Sequence, residues 1–303
     1  MKMKSNLLLM ALTAMTLTLA SCSKDDNDNN NSNPTPEQPT TIAAPQYKDD
    51  AVKLTLPANT FTIDGKKISV QALELTESGI FIVTYTKVAN SRVAVTRDND
   101  IDTDHKIGRF TKSGNSYNLA GYATITINGK SGTTYNIAVK TNDGASTELN
   151  ATATAPRTSD TMTDNLCRTW NIENTRVTIE VDGVTAGRDF PGACDLNAII
   201  AYAKERGLTI TDRVEDNSIV TGITFTKAGT FLISYRNDDN DLGKWNWASQ
   251  ASGTISYGWD DDDMGNSLEN GAAAVNFDGS KCRFTLSAAL GTYKVQIIYT
   301  LIP

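Results

Sequence analysis

Thr292-Tyr293-Lys294-Val295-Gln296-Ile297-Ile298-Tyr299-Thr300-Leu301 decides the fold class. Tyr293, Val295, Ile297, Tyr299 and Leu301 fall on one face, with Lys294, Gln296 and Thr300 on the other. Alternation of period two belongs to a half-buried antiparallel strand, because successive side chains of an extended chain point to opposite faces. Similar runs occur at 66–76, 79–86, 122–127, 133–140, 174–181, 219–226, 230–236, 252–257 and 281–287. The pairs Asp64-Gly65, Asn128-Gly129, Asp143-Gly144, Asp182-Gly183 and Asp278-Gly279 between them favour hairpin turns. The chain therefore reads as all-β.

One segment departs from the alternation. Between Cys194 and Arg206, Leu196, Ile199, Ile200 and Ala203 recur at helical spacing, with Asp195 as N-cap and Gly207 at the C-terminal stop. This predicts one amphipathic helix between the first and second strands of the C-terminal half, covering one end of a barrel. The small, polar stretch Ala151 to Asp164 marks a boundary. The expected organisation is an N-terminal β domain (48–155, a small sandwich or partial barrel), a linker (156–164) and a C-terminal eight-stranded antiparallel barrel (165–303).

The two halves share a stretch. Residues 73–85 align without gaps to 223–235, with Thr76/Thr226, Gly79/Gly229, Phe81/Phe231 and Tyr85/Tyr235 identical. Each copy reads as a hairpin whose turn needs glycine for positive φ. Gly108-Arg109-Phe110 and Gly243-Lys244-Trp245 echo one another downstream, with the spacing shifted by fifteen residues. Duplication and two generic hairpins both accommodate this.

The N-terminus carries an address. Lys2 and Lys4 precede a run from Leu7 to Leu19 without charge, which is the layout of a signal peptide (1–21) and too short to span a bilayer. Leu19-Ala20-Ser21-Cys22 resembles the lipobox of bacterial lipoproteins, implying acylation of Cys22 and an anchor in the membrane. Residues 22–47 form an expected solvated tether, since Ser23 to Pro39 contain no apolar side chain to bury. The acidic cluster after Cys22 resembles the export tract of Bacteroidetes-type surface lipoproteins, implying an outer-membrane location facing the exterior. Loss of residues 1–21 takes the formal net charge from −7 to −9. No basic stripe exists to neutralise phosphates, so a nucleic-acid partner is not expected.

Leu166-Cys167-Arg168-Thr169-Trp170 resembles the start of lipocalin-like (calycin) domains found in such lipoproteins, where a Leu and a Trp four residues later introduce the first barrel strand. The resemblance implies that the Trp packs across the closed end of the barrel. Arg168 and Thr169 stand where the family commonly has a Gly before the Trp.

Chemistry-bearing residues are sparse. His105 is the single histidine, which excludes His-based triads and multi-His metal centres. The acidic runs Asp98–Asp104 and Asp260–Asp263 lack EF-hand spacing. They read as solvated turns, with a weak, irregular calcium loop as the alternative. No cofactor or metal site is expected. Three cysteines remain beside Cys22. Cys167 precedes the first barrel strand and Cys282 lies near the start of the penultimate one, so a Cys167–Cys282 disulfide is favoured over Cys167–Cys194. Trp245, Trp247, Tyr257 and Trp259 lead into Asp260 and Asp262, and admit two readings. Exposed, they form a sugar-stacking platform or line an apolar pocket; buried, they fill the barrel. The expected function is a non-catalytic binding module for a small hydrophobic molecule or a glycan, with an interaction component of an outer-membrane protein assembly as the alternative.

Overall fold

The computed structural model describes residues 42–63, 65–88, 103–208, 219–237, 239–259, 271–290 and 292–303. Two closed eight-stranded antiparallel β-barrels follow one another along the chain.

The first contains β1 (Val52–Thr55), β2 (Phe61–Ile63), β3 (Lys66–Leu75), β4 (Ile80–Lys87), β5 (Thr103–Ser113), β6 (Ser116–Leu119), β7 (Ala123–Ser131), β8 (Thr134–Thr141) and β9 (Ser146–Ala153). Each strand from β2 to β9 pairs with the next. The ring closes through β1, which pairs with β9 and with Ala72–Leu75 of β3. The other half of that β3 edge is taken by β2. The N-terminal domain is thus a closed barrel, and closure removes the exposed edges that a small open sheet would present.

The second contains β10 (Thr169–Val181), β11 (Val184–Pro191), β12 (Cys194–Asp195), β13 (Ile219–Phe225), β14 (Thr230–Tyr235), β15 (Asn240–Ser249), β16 (Thr254–Trp259), β17 (Gly271–Asp278), β18 (Lys281–Leu290) and β19 (Tyr293–Ile302). Strands β13 to β19 form a meander that β10 closes by pairing with both β13 and β19. Short β12 and the β11 ribbon hang outside the ring on β13 and on the distal half of β10. Helix α1 (Thr161–Leu166) precedes this barrel and α2 (Leu196–Glu205) lies between its first two ring strands. That arrangement fits a lipocalin-like fold. The Asp195 carboxylate caps α2 through the N–H groups of Asn197 and Ala198, and Leu196, Ile199, Ile200 and Ala203 enter the barrel core.

The shared stretch extends to register level. Leu73 pairs with Val83 and Leu75 with Phe81; in the second barrel Ile223 pairs with Ile233 and Phe225 with Phe231. Both hairpins carry a bulge at the same place, Val70/Ala72 and Val220/Gly222. Both turns use a glycine with positive φ, 79° at Gly79 and 89° at Gly229. Phe81 faces Gly108, and Phe231 faces Gly243. A Cβ on Gly108 would lie 2.7 Å from the Phe81 ring, so the ring needs a residue without one. The fifteen-residue difference in spacing falls between the fourth and fifth strands. Gly108-Arg109-Phe110 and Gly243-Lys244-Trp245 are therefore structural equivalents.

Both interiors are filled. Phe81, Leu119 and Ile137 are fully buried in the first, which keeps a residual apolar cavity of about 30 Å³. In the second, Phe225 packs on Phe231, Trp245 and Phe284 at centroid distances of 5.1, 5.7 and 5.6 Å, and Phe284 stacks on Tyr299 at 6.3 Å.

The outward faces of equivalent strands meet between the barrels. Ile80, Ile82 and Leu232 form a small buried cluster, with Ile107 and Leu242 against it. Ile82 and Leu232 are counterparts in the repeat, as are Ile107 and Leu242, so the joint approximates a two-fold contact of like with like.

Three boundaries differ from the sequence reading. Asn128-Gly129 lies inside β7 as a bulge, and the turn sits at Gly132 (φ 59°). Ala151 to Ala153 belong to β9 because Ala151 packs in the core, and Asp160 caps the short α1 through the Thr163 N–H within the expected linker. At the end of the tether, Ile42 is buried, with its N–H on Asn165 Oδ1 at 3.0 Å.

Candidate functional site

Trp245 and Tyr257 are wholly buried in the second barrel. Trp245 donates Nε1–H to the Thr226 carbonyl at 3.1 Å, and the Arg157 guanidinium of the linker lies 4.6 Å from its ring centroid. Trp247, half-buried, stands edge-on to Trp245 and donates to Thr163 Oγ1 of α1 at 3.0 Å. These three rings plug and cover the barrel. The Trp259 backbone pairs with Gly243. Its side chain, with Asp260, Asp262 and Cys22, lies outside the described residues.

Cys167, Cys194 and Cys282 are buried free thiols, so the expected Cys167–Cys282 disulfide is corrected. Cys167 caps α1, whereas Cys282 sits in the ladder between Phe277 and Leu301; both pack as small apolar groups. Burial pushes Cys194 up to about 12 and raises the other two thiols as well. None is a ready nucleophile.

Trp170 is wholly buried, with its Nε1–H on the Leu166 carbonyl at 2.9 Å. Arg168 plants its guanidinium on the carbonyls of Asn165, Asp164 and Ala43. It also lies 5.4 Å from the Trp170 ring centroid. Arg168 thus fastens the incoming segment at Ala43 to the start of the second barrel.

His105 is on β5, where its Nδ1 meets Thr84 Oγ1 at 3.2 Å. For neighbouring Asp104, partial burial works to raise the carboxyl. Hydrogen bonds from the His105 N–H, Tyr85 and Lys87 outweigh it and hold the group below the ordinary range. Among the described residues no group of three His, Cys, Asp or Glu side chains is arranged to hold a metal ion.

The most polar buried constellation lies at the joint, on β3 and the turn after it. Glu74, 3 % exposed, accepts from Thr226 Oγ1 at 2.6 Å and Thr230 Oγ1 at 2.5 Å, and pairs with Lys53 at 3.3 Å. Ser78 Oγ accepts the Thr169 N–H at 2.8 Å. Glu77, 2 % exposed, accepts the Lys227 N–H on Oε1 at 3.0 Å, while its Oε2 is buried with no protein hydrogen-bond partner. Desolvation pushes Glu77 up to about 7, against the lowering effects of the Lys227 N–H, its own N–H and the Lys227 charge; neighbouring Glu74 adds to the rise.

Glu77 and Lys227 line two cavities. One, of about 440 Å³, is bounded by residues 42–45, Lys48 and the start of α1; the other, of about 330 Å³, by Lys53, Glu74, Lys130 and the linker.

Compared with protein-family models and with curated proteins, the chain matches none.

Sequence reasoning passed over Glu77, which reads as an ordinary polar turn residue. A signal was present: the repeat aligns Glu77 with Lys227, so equivalent turns carry opposite charges, as a joint between like surfaces requires.

Proposed function

We propose that this chain is a lipid-anchored outer-membrane surface protein acting as a non-catalytic interaction component, recognising its partner with the outside of two packed barrels. The observation that carries this reading is the aromatic filling of the second barrel, where Phe225, Phe231, Trp245, Tyr257, Phe284 and Tyr299 are all buried. A barrel of about eight strands has room for its own side chains or for one small ligand, and here the side chains take that room. The buried thiols offer no activated nucleophile. Acylation at Cys22 and the tether carry the surface assignment.

A second reading, a binding module for a glycan, draws on the cavity of about 440 Å³ at the joint, lined by both apolar and polar side chains, whose size suits a small molecule.

Two measurements test the proposal. Cys22→Ala should release the protein from the membrane fraction, and protease added to intact cells should cleave the wild type; retention of the variant or full protection of the wild type refutes the address. Thermal unfolding against fatty acids, bile salts, haem-like compounds and oligosaccharides should show no concentration-dependent gain. A gain with oligosaccharides alone favours the second reading, and one with lipids refutes the packed barrel.

A further inference from the structure

Glu77 sits where both barrels, the linker and the end of the tether converge. Its Oε1 reaches across to the Lys227 N–H, and the main chain around it is tied to all of these neighbours. Tyr47 N–H donates to the Glu77 carbonyl at 3.0 Å, and Arg157 N–H donates to the Lys227 carbonyl at 2.8 Å. Thr169, which opens the second barrel, rests on Ser78 beside it. A change in charge at Glu77 therefore acts where the tether end, the linker and the second barrel meet the turn after β3.

The surrounding charges offset its burial only in part: Lys227 favours the ionised form and Glu74 opposes it. On one side the cavity brings Lys48, Asp160, Asp164 and the Cys167 thiol; on the other it brings Asp49, Lys53, Glu74 and Lys130; Lys227 lines both. Of the nearest cations, Lys53 is paired with Glu74 at 3.3 Å and Lys227 with Asp164 at 2.8 Å. Lys48 lies exposed at the rim. Asp160 is spent on capping α1 and Arg157 on the Trp245 and Asn246 oxygens. Glu74, on β3 just before the turn that holds Glu77, is a like charge. The buried Oε2 thus has neither a donor nor a spare cation, and an ionised carboxylate there is costly to keep from water.

We propose that Glu77 is a proton-operated latch of the inter-barrel joint: neutral, it seats against the Lys227 turn and holds the barrels together; ionised, it loosens the joint and opens the neighbouring cavities to water. The group favours protons in the folded state, so its contribution is complete below its unfolded value of 4.5 and is lost as pH rises through about 7. Between those limits the folding equilibrium weakens by roughly two orders of magnitude on account of this one residue. A surface protein with such a joint is tighter in mildly acidic surroundings than in neutral ones.

The test uses the acylated protein in detergent and its Glu77→Gln variant. The wild-type unfolding temperature should fall between pH 5 and pH 7.5 and level off above; Glu77→Gln should remove most of that fall. A matching fall in the variant overturns the proposal. Cys167, 1 % exposed and lining the larger cavity, reports on the joint itself. At pH 8 its alkylation, normalised to Cys194 and Cys282, should be at least tenfold slower in Glu77→Gln than in the wild type, and equal rates overturn the latch. Should the variant not fold, carboxyl NMR of the wild type decides: a Glu77 midpoint near 7 supports the latch and one near 4.5 sinks it.

Discussion

Replacing Trp245 by alanine separates a ring that fills the barrel from a ring that waits for a ligand. Trp245 is fully buried against Phe225, stacks under Arg157 and donates to the Thr226 carbonyl. Truncation of a buried Trp removes the transfer free energy of the ring and leaves a cavity, together about 3–5 kcal/mol. Loss of the cation–π contact puts the sum towards the upper end of that range. For a chain of this size each kcal/mol moves the midpoint by about 2–4 °C, so Trp245→Ala should lower it by roughly 10–15 °C. Trp245→Phe keeps most of the apolar volume and removes one of two donors on the Thr226 carbonyl, which keeps the Gly229 N–H, at a cost of about 1 kcal/mol. Trp247→Ala, which removes a half-buried ring and its bond to Thr163, should cost about 1–2 kcal/mol. Differential scanning calorimetry on the three variants reads the order directly. If Trp245→Ala shifts the midpoint by less than Trp247→Ala does, the ring is not holding the barrel together and the packing argument fails.

Glu74→Ala leaves the buried Thr226 and Thr230 hydroxyls without their acceptor and Lys53 with only Thr230 Oγ1 and solvent, so denaturant unfolding should show a loss of about 2–3 kcal/mol; a change below 1 kcal/mol would mean that the joint does not depend on this carboxylate. Asp195→Ala deletes the α2 N-cap and should cost about 1 kcal/mol, with helix loss visible by circular dichroism near the midpoint. The acylated protein, denatured without reductant, should titrate three thiols, and a count of one would restore the disulfide.

Much of the fold was legible because antiparallel strands with one buried face write their register as alternation. Tyr293, Val295, Ile297, Tyr299 and Leu301 do face inward. Asp182-Gly183 makes the two-residue turn it promised, with both residues at positive φ. Asn128-Gly129 misled because a glycine that permits a bulge looks the same in sequence as one that permits a turn. Closure of the first barrel was hidden because β1 is four residues long, and its role lies in two partners that only folding brings to it. Trp245, Trp247 and Tyr257 share one face of the sheet, since Trp245 pairs with Tyr257 and Trp247 lies two residues on, but parity alone does not say whether an inward face is hollow. Glu77 was passed over for a different reason, with only its alignment to Lys227 in the repeat to mark it. Its burial is supplied by the second barrel, about 150 residues away along the chain, and no local pattern encodes a neighbour that distant.

The central claim is that the second barrel holds its own side chains in place of a ligand. Equilibrium titration of the native protein with an environment-sensitive fluorescent fatty acid tests it most directly. The account predicts no saturable signal up to the limit of solubility, whereas one-to-one saturation in the micromolar range, abolished by free fatty acid, would contradict it.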